Sequence, residues 1–149
     1  MITFLASILV WLMFFGLIVL WVVDGKIKKE IVIHAVFSAL IAWILTEVLK
    51  NFVPMARPFQ SSGLDPLTLT TPLDNTFPST HTAAAFAISV TVFLHDRKVG
   101  MLYLLMAAFV GVARIMAYVH YPIDIIAGAL LGSTVSYVSE KRHLFKALK

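Results

Sequence analysis

Cysteine is absent from all 149 residues, so a disulfide framework, a thiolate nucleophile and a cysteine-ligated metal are excluded. The same absence leaves the redox compartment unreadable. Charge is scarce too: Asp, Glu, Lys and Arg make up 13% of the chain against 60% hydrophobic residues, and the mean hydropathy is +0.90. A soluble globular domain does not have that balance, and a lipid bilayer is the solvent that fits it. No internal repeat or low-complexity tract is present. Apolar segments fill so much of the length that residues 1–149 read as one domain, with no room for a separate soluble module. A net charge of +4 and a pI near 9.5 would suit nucleic acid. The basic residues, however, sit in short clusters beside apolar spans instead of in one stripe, so membrane lipids are the expected partner and nucleic acid is not.

What is present is a series of long apolar runs. Ile2 to Val23 is 22 residues without a charge, about 33 Å of helix for a hydrocarbon core of about 30 Å. A cleaved signal peptide is the rival, but the run has no basic leader, is too long, and shows no small-residue cleavage site. Further spans are expected near 31–50, 79–94, 101–118 and 122–139, giving an all-α, polytopic bundle of about five transmembrane helices. Five spans put the termini on opposite sides. Lys26, Lys28 and Lys29, then Arg97 and Lys98, then Lys141, Arg142, Lys146 and Lys149 would share a side, nine of the 12 Lys and Arg residues. The positive-inside rule makes that side cytoplasmic, with the N-terminus outside.

The three remaining cations, Lys50, Arg57 and Arg114, gather toward the other face, and Arg114 lies within a span where an ion is costly. Snorkelling would explain any one of them. Three together call for an anion. Between the second and third spans, Asn51 to Pro78 is irregular chain with Pro54, Pro58, Gly63, Pro66 and Pro72 and a threonine-rich stretch. Its leucines 64, 67, 69 and 73 and Phe77 would let it dip into the lipid interface, while a plain connector fits residues 60–73 equally well.

Pro78-Ser79-Thr80-His81 opens the third span, with Ser79 placed as an N-cap. The amides of Thr80 and His81, with the helix dipole, would make an anion cradle. Capping alone accounts for Ser79. It leaves His81, placed to act as a general acid on a phosphate ester's leaving oxygen. His120 ends the fourth span, Pro122 suits a helix start, and Asp124 follows four residues after the histidine. A carboxylate on one ring nitrogen would fix the tautomer and leave the other nitrogen as a nucleophile, although Asp124 could equally serve only the dipole of its own helix.

Lys50-x6-Arg57-Pro58, Pro78-Ser79-Thr80-His81 and Arg114-x5-His120-x3-Asp124 agree in order and spacing with a three-part signature. The chain resembles the type 2 phosphatidic acid phosphatase superfamily, integral membrane lipid phosphatases related to vanadium haloperoxidases, over residues 50–124. The resemblance implies that Lys50, Arg57 and Arg114, with Ser79 and the Thr80 backbone, hold phosphate oxygens. It also implies that His120 attacks phosphorus to form a phosphohistidine, His81 protonates the leaving group, and Asp124 steadies His120. No metal or other cofactor is implied, since the cations neutralise the equatorial oxygens. Two positions depart from the family pattern: Thr80 stands where glycine is usual, and Ala113 where a serine usually precedes the arginine. Family members commonly have six spans, so the first helix would do double duty or an oligomer would cover its face.

Glu47, three residues before Lys50, could orient or neutralise it. His34 reads as an ordinary hydrogen-bonded histidine, His95 and His143 as interfacial residues, and the tryptophans as packing against lipid or neighbouring helices. The histidines show no zinc-like spacing. Two functions remain: a metal-independent phosphatase of the cell (inner) membrane acting on a lipid phosphomonoester or diphosphate at its periplasmic or extracellular face, or a non-catalytic anion-binding protein such as a small transporter or channel subunit.

Overall fold

The computed structural model describes residues 1–24 and 29–147. Helices α1 (Ile2–Ser7) and α2 (Leu9–Val19) are followed by a π-helical turn, Leu20–Asp24. Next come α3 (Lys29–Lys50), a short α4 (Pro58–Ser62), α5 (Thr80–His95), α6 (Arg97–Met116) and α7 (Pro122–Ala147). No strand occurs among the described residues. Among the described residues three helices, α3, α6 and α7, are long and apolar enough to cross a membrane; α2 and α5 are shorter apolar helices.

The first apolar run is therefore not one straight span. It breaks at Ile8, whose amide closes α1 on the Phe4 carbonyl while its own carbonyl starts α2 by accepting from Trp11 and Leu12. The third expected span forms but has only 16 residues, about 24 Å. Its surroundings explain the shortfall, because α5 packs on α3, α6 and α7 and so meets protein more than lipid. The last helix runs past residue 139 to Ala147. Lys26 and Lys28 of the topology count, the side chains of Arg142 and Lys146, His143, and Lys149 lie outside the described residues.

The bundle is built inside out compared with a soluble protein. Many of its large apolar side chains face outward, among them Phe15, Phe37, Leu40, Leu105, Phe109 and Leu130, while the centre is rich in Ala, Ser and Thr around a few larger residues such as Met13, Leu17, Ile88 and Val110. That is the pattern lipid selects, since helices in hydrocarbon associate by close packing and interhelical hydrogen bonds instead of by escaping water. The seam between α5 and α7 shows it most tightly. A Cβ on Gly128 would lie 2.6 Å from the Ser79 carbonyl oxygen, and one on Gly132 would lie 2.1 Å from that of Ala83. Thr91 and Ser136 hydroxyls meet across the same seam at 2.8 Å, and the Tyr103 hydroxyl ties α6 to α2 through the Met13 carbonyl at 3.1 Å.

One end of the bundle is closed by a buried carboxylate. Glu140 on α7 faces His34 Nδ1 on α3 at 3.1 Å and His95 Nε2 on α5 at 3.5 Å. His34 is thus hydrogen-bonded as expected, whereas His95 is turned into the bundle, where Thr91 also accepts from it at 2.9 Å. Trp11 and Trp43 pack edge to face between α2 and α3, centroids 6.0 Å apart.

The long loop at the other end is pinned. Its Leu69 amide donates to Ser7 Oγ, and its Leu67 and Thr76 amides donate to the carbonyls of Ala117 and Met55. α4 begins after Arg57, whose amide is capped by the Gln60 side chain, and stops at Gly63, which takes a left-handed φ of 71°. Leu64, Leu67, Leu69 and Leu73 stay exposed at this end.

Candidate active site

Five chain segments bring charged groups to the end opposite Glu140. α3 ends on Lys50, the loop supplies Arg57, α5 begins at Ser79-Thr80-His81, α6 closes just after Arg114, and α7 opens with Asp124 in its first turn. The connection between α6 and α7 must turn sharply, and Tyr118 does so with φ 60°, an uncommon conformation for a bulky residue. Its carbonyl accepts from the Phe59 amide at 2.9 Å, and that of Val119 accepts from Arg57 at 2.8 Å. The reversal leaves the His120 ring between the arginines and α7.

His120 is buried and differently bonded on its two sides. Nδ1 lies 3.3 Å from Asp124 Oδ2 and 3.1 Å from the Thr76 hydroxyl, which itself donates to Asp124 Oδ2 at 2.6 Å. Nε2 faces Arg57 at 3.4 Å and Arg114 at 3.3 Å. Since guanidinium groups only donate, Nε2 is the unprotonated nitrogen and Nδ1 carries the proton. Burial pushes the imidazole down from 6.5 to about 4, helped by Arg114 and Arg57 and opposed by Asp124. It is neutral at pH 7, with its lone pair aimed between two cations.

Asp124 answers both readings of its position. It accepts from the Tyr121 amide at 2.7 Å, the capping role, and it holds the imidazole as well. Its carbonyl accepts from the Ser79 amide at 3.1 Å, so the starts of α5 and α7 are bonded to each other. Arg114 donates to the Ala6 carbonyl at 3.1 Å, while its buried Nε has no partner among the described residues. Ala113 packs with Ala6, Ala117 and Val119 in a small apolar cluster.

The other expected residues divide. Lys50 donates to Glu47 at 3.1 Å, and Thr80, whose hydroxyl donates to Glu47 at 2.9 Å, spends its side chain on that pair. The Ser79 hydroxyl caps α5 and meets Thr82 Oγ1 at 3.0 Å, leaving the first amides of the helix to face an anion. His81 is half-buried beside Trp11, Phe14 and Trp43 and within electrostatic range of Arg114, His120, Lys50 and Arg57.

Two residues here escaped sequence reasoning. Thr76 is fully buried against the His120–Asp124 pair. Asp74 bonds Lys50 and Arg57, the latter at 2.8 Å. Partial burial raises its carboxyl, and Lys50 and Arg57 outweigh that, drawing it from 3.8 to about 2. The signal for both was the polar triplet Asp74-Asn75-Thr76 directly ahead of Phe77 and Pro78. A cleft of about 620 Å³ opens onto Lys50 and Asp74 along the outer side of α3, past Leu40, Trp43 and Ile44.

The PAP2 superfamily profile matches residues 31–144. The chain belongs to that superfamily. It is 36% identical over 129 residues to the bacitracin transport permease protein BcrC of Bacillus licheniformis, covering 87% of this chain and 64% of that one. It is also 36% identical over 115 residues to the undecaprenyl-diphosphatase of Sulfolobus acidocaldarius, covering 76% of this chain and 56% of that one. The chain thus spans about three-fifths of the length of these curated relatives. Among solved structures it is similar to LpxE of Aquifex aeolicus, with a TM-score of 0.73 and 29% identity, covering 89% of this chain and 81% of that one. Family membership and the apolar exterior make this PAP2 chain a membrane protein.

Proposed function

We propose that this protein is an integral membrane phosphatase that hydrolyses a lipid phosphomonoester or diphosphate, and the observation that carries it is the neutral His120 Nε2 set between Arg57 and Arg114. Nε2 attacks phosphorus as the bond to the leaving oxygen breaks. His81 gives that oxygen its proton, then takes one from the water that splits the phosphorus–nitrogen bond and frees inorganic phosphate. Lys50, Arg57, Arg114 and the amides at the start of α5 neutralise the phosphoryl oxygens, and Asp124 holds the imidazolium that forms. The Sulfolobus relative's name favours undecaprenyl diphosphate over phosphatidylglycerophosphate, phosphatidic acid or a lipid A phosphate.

In the same reading residues 1–149 are one domain. The apolar helices cross the membrane five times, with the N-terminus and active site outside and the C-terminus in the cytoplasm. The Bacillus licheniformis relative's name supports a second reading, transport. Purified protein in detergent separates the two: the phosphatase releases inorganic phosphate from one of these lipids, and His120→Ala and His81→Ala each cut the rate by at least about a hundredfold. No release from any of them, or mutants equal to wild type, leaves transport. An impermeant thiol reagent reaching Ser62→Cys from outside the cell supports the orientation, and protection there overturns it.

A further inference from the structure

Arg57 spends four of its five N–H donors on the protein itself, and the fifth faces His120 Nε2 at 3.4 Å. Its Nε donates to the Asp74 carbonyl at 2.9 Å, and one terminal nitrogen donates to the Val119 carbonyl at 2.8 Å. The other donates to Asp74 Oδ1 at 2.8 Å and the Asn75 carbonyl at 3.3 Å. Three of these partners are backbone carbonyls fixed by the chain. The fourth, the Asp74 carboxylate, is a side chain 43% exposed at the mouth of the cleft. Its second oxygen bonds Lys50.

We propose that the Asp74 carboxylate is a displaceable stand-in for phosphate, holding Lys50 and Arg57 in the resting site and yielding both to the phosphate group that enters. The exchange rests on the phosphatase reading only for which molecule brings the phosphate. It serves two ends. Lys50 and Arg57 repel each other in a poorly polarisable site, and an anion between them keeps both in place when no substrate is bound. It also acts as a filter. The surrounding bilayer is crowded with phosphodiester headgroups, each bearing a single negative charge on its phosphate, and such a group gains little by replacing a carboxylate. A terminal phosphate or diphosphate, with more charge and three free oxygens, wins the exchange, so Asp74 selects terminal phosphates by penalising the commoner competitor. The carboxyl is ionised at any working pH, because the same two cations hold it near 2.

The test is binding of inorganic phosphate to detergent-solubilised wild type, Asp74→Asn and Asp74→Glu, read by calorimetry or phosphorus NMR. Asp74→Asn, which keeps the shape and loses the charge, is expected to tighten phosphate about tenfold and to let phosphatidylglycerol compete, while Asp74→Glu stays near wild type. Unchanged or weaker phosphate binding by Asp74→Asn overturns the exchange and makes Asp74 a brace for the cations. If Asp74→Asn does not fold, Asp74→Ser carries the same comparison. Tighter phosphate in the variant, together with no phosphate release from any lipid by wild type, upholds the exchange and sinks the phosphatase reading.

Discussion

Both ends of the bundle bury a carboxylate against histidine, and only one of them has the makings of a reaction centre. At the Glu140 end one carboxylate is shared by two imidazoles, and both nitrogens of His95 are engaged, one with Thr91 and one with Glu140. At the His120 end the carboxylate takes one side of one imidazole, and the other nitrogen meets only cations. The first arrangement is closed: both oxygens of Glu140 and both nitrogens of His95 find partners inside the protein, which is how a polar cluster ties three helices together in hydrocarbon. The second is short of negative charge where the lone pair points. A histidine–carboxylate contact is therefore no evidence of catalysis by itself. What favours the proposed reaction at the second nitrogen is Arg114, which has no carboxylate partner among the described residues, beside an Arg57 whose carboxylate is the half-exposed Asp74.

Breaking the comparison at Thr76 has the largest expected effect. Thr76→Val removes the hydroxyl shared by His120 and Asp124 at nearly constant volume, so kcat should fall about thirtyfold with KM little changed, and Thr76→Ser should restore most of it. A shift in KM alone, or no rescue by serine, would make Thr76 a packing residue. Acidity gives the next test. In the proposed mechanism His120 must be neutral to attack, and its pKa lies below the ordinary value, so the proton binds only as pH falls through about 4. The acid limb of kcat/KM assigned to His120 should lie near pH 4, dropping about tenfold per unit below it; a His120 limb near 6.5 in a pH–rate profile would mean that burial beside the arginines does not set its charge. The smallest effect belongs to the closed end. Glu140→Gln should lower the melting temperature by several degrees yet leave kcat/KM within about twofold, and a large loss of activity would show that the two ends are coupled.

The expected helices from residue 31 onward were legible because apolar runs bounded by charge specify helices, and the gathering of the motif residues at one end because the spacings within each motif are short and local. Arg114, His120 and Asp124 converge through one turn, which spacing can express. Asp74 and Thr76 reach the site through an irregular loop, where no periodicity ties position to direction. The Thr80 backbone was assigned to the phosphate, and its hydroxyl, for which the sequence names no partner, reaches Glu47 on α3 at 2.9 Å. His95 sits beside basic residues in sequence, and only the packing of α5 on α7 turns it inward. Gly128 and Gly132 look like any small residues in a span until the neighbouring carbonyls are placed.

The break at Ile8 bears on how freely the first apolar segment could be exchanged. In an unbroken helix the Ala6 carbonyl would accept from the amide four residues on. Here it accepts from Arg114 instead. The opening segment thus contributes one oxygen to fixing a cation at the His120 end, through a main-chain atom that no side chain reveals. Two sequences of equal hydropathy would anchor this protein equally well, yet a stiff, uninterrupted one would withdraw that oxygen and leave the arginine to find another partner.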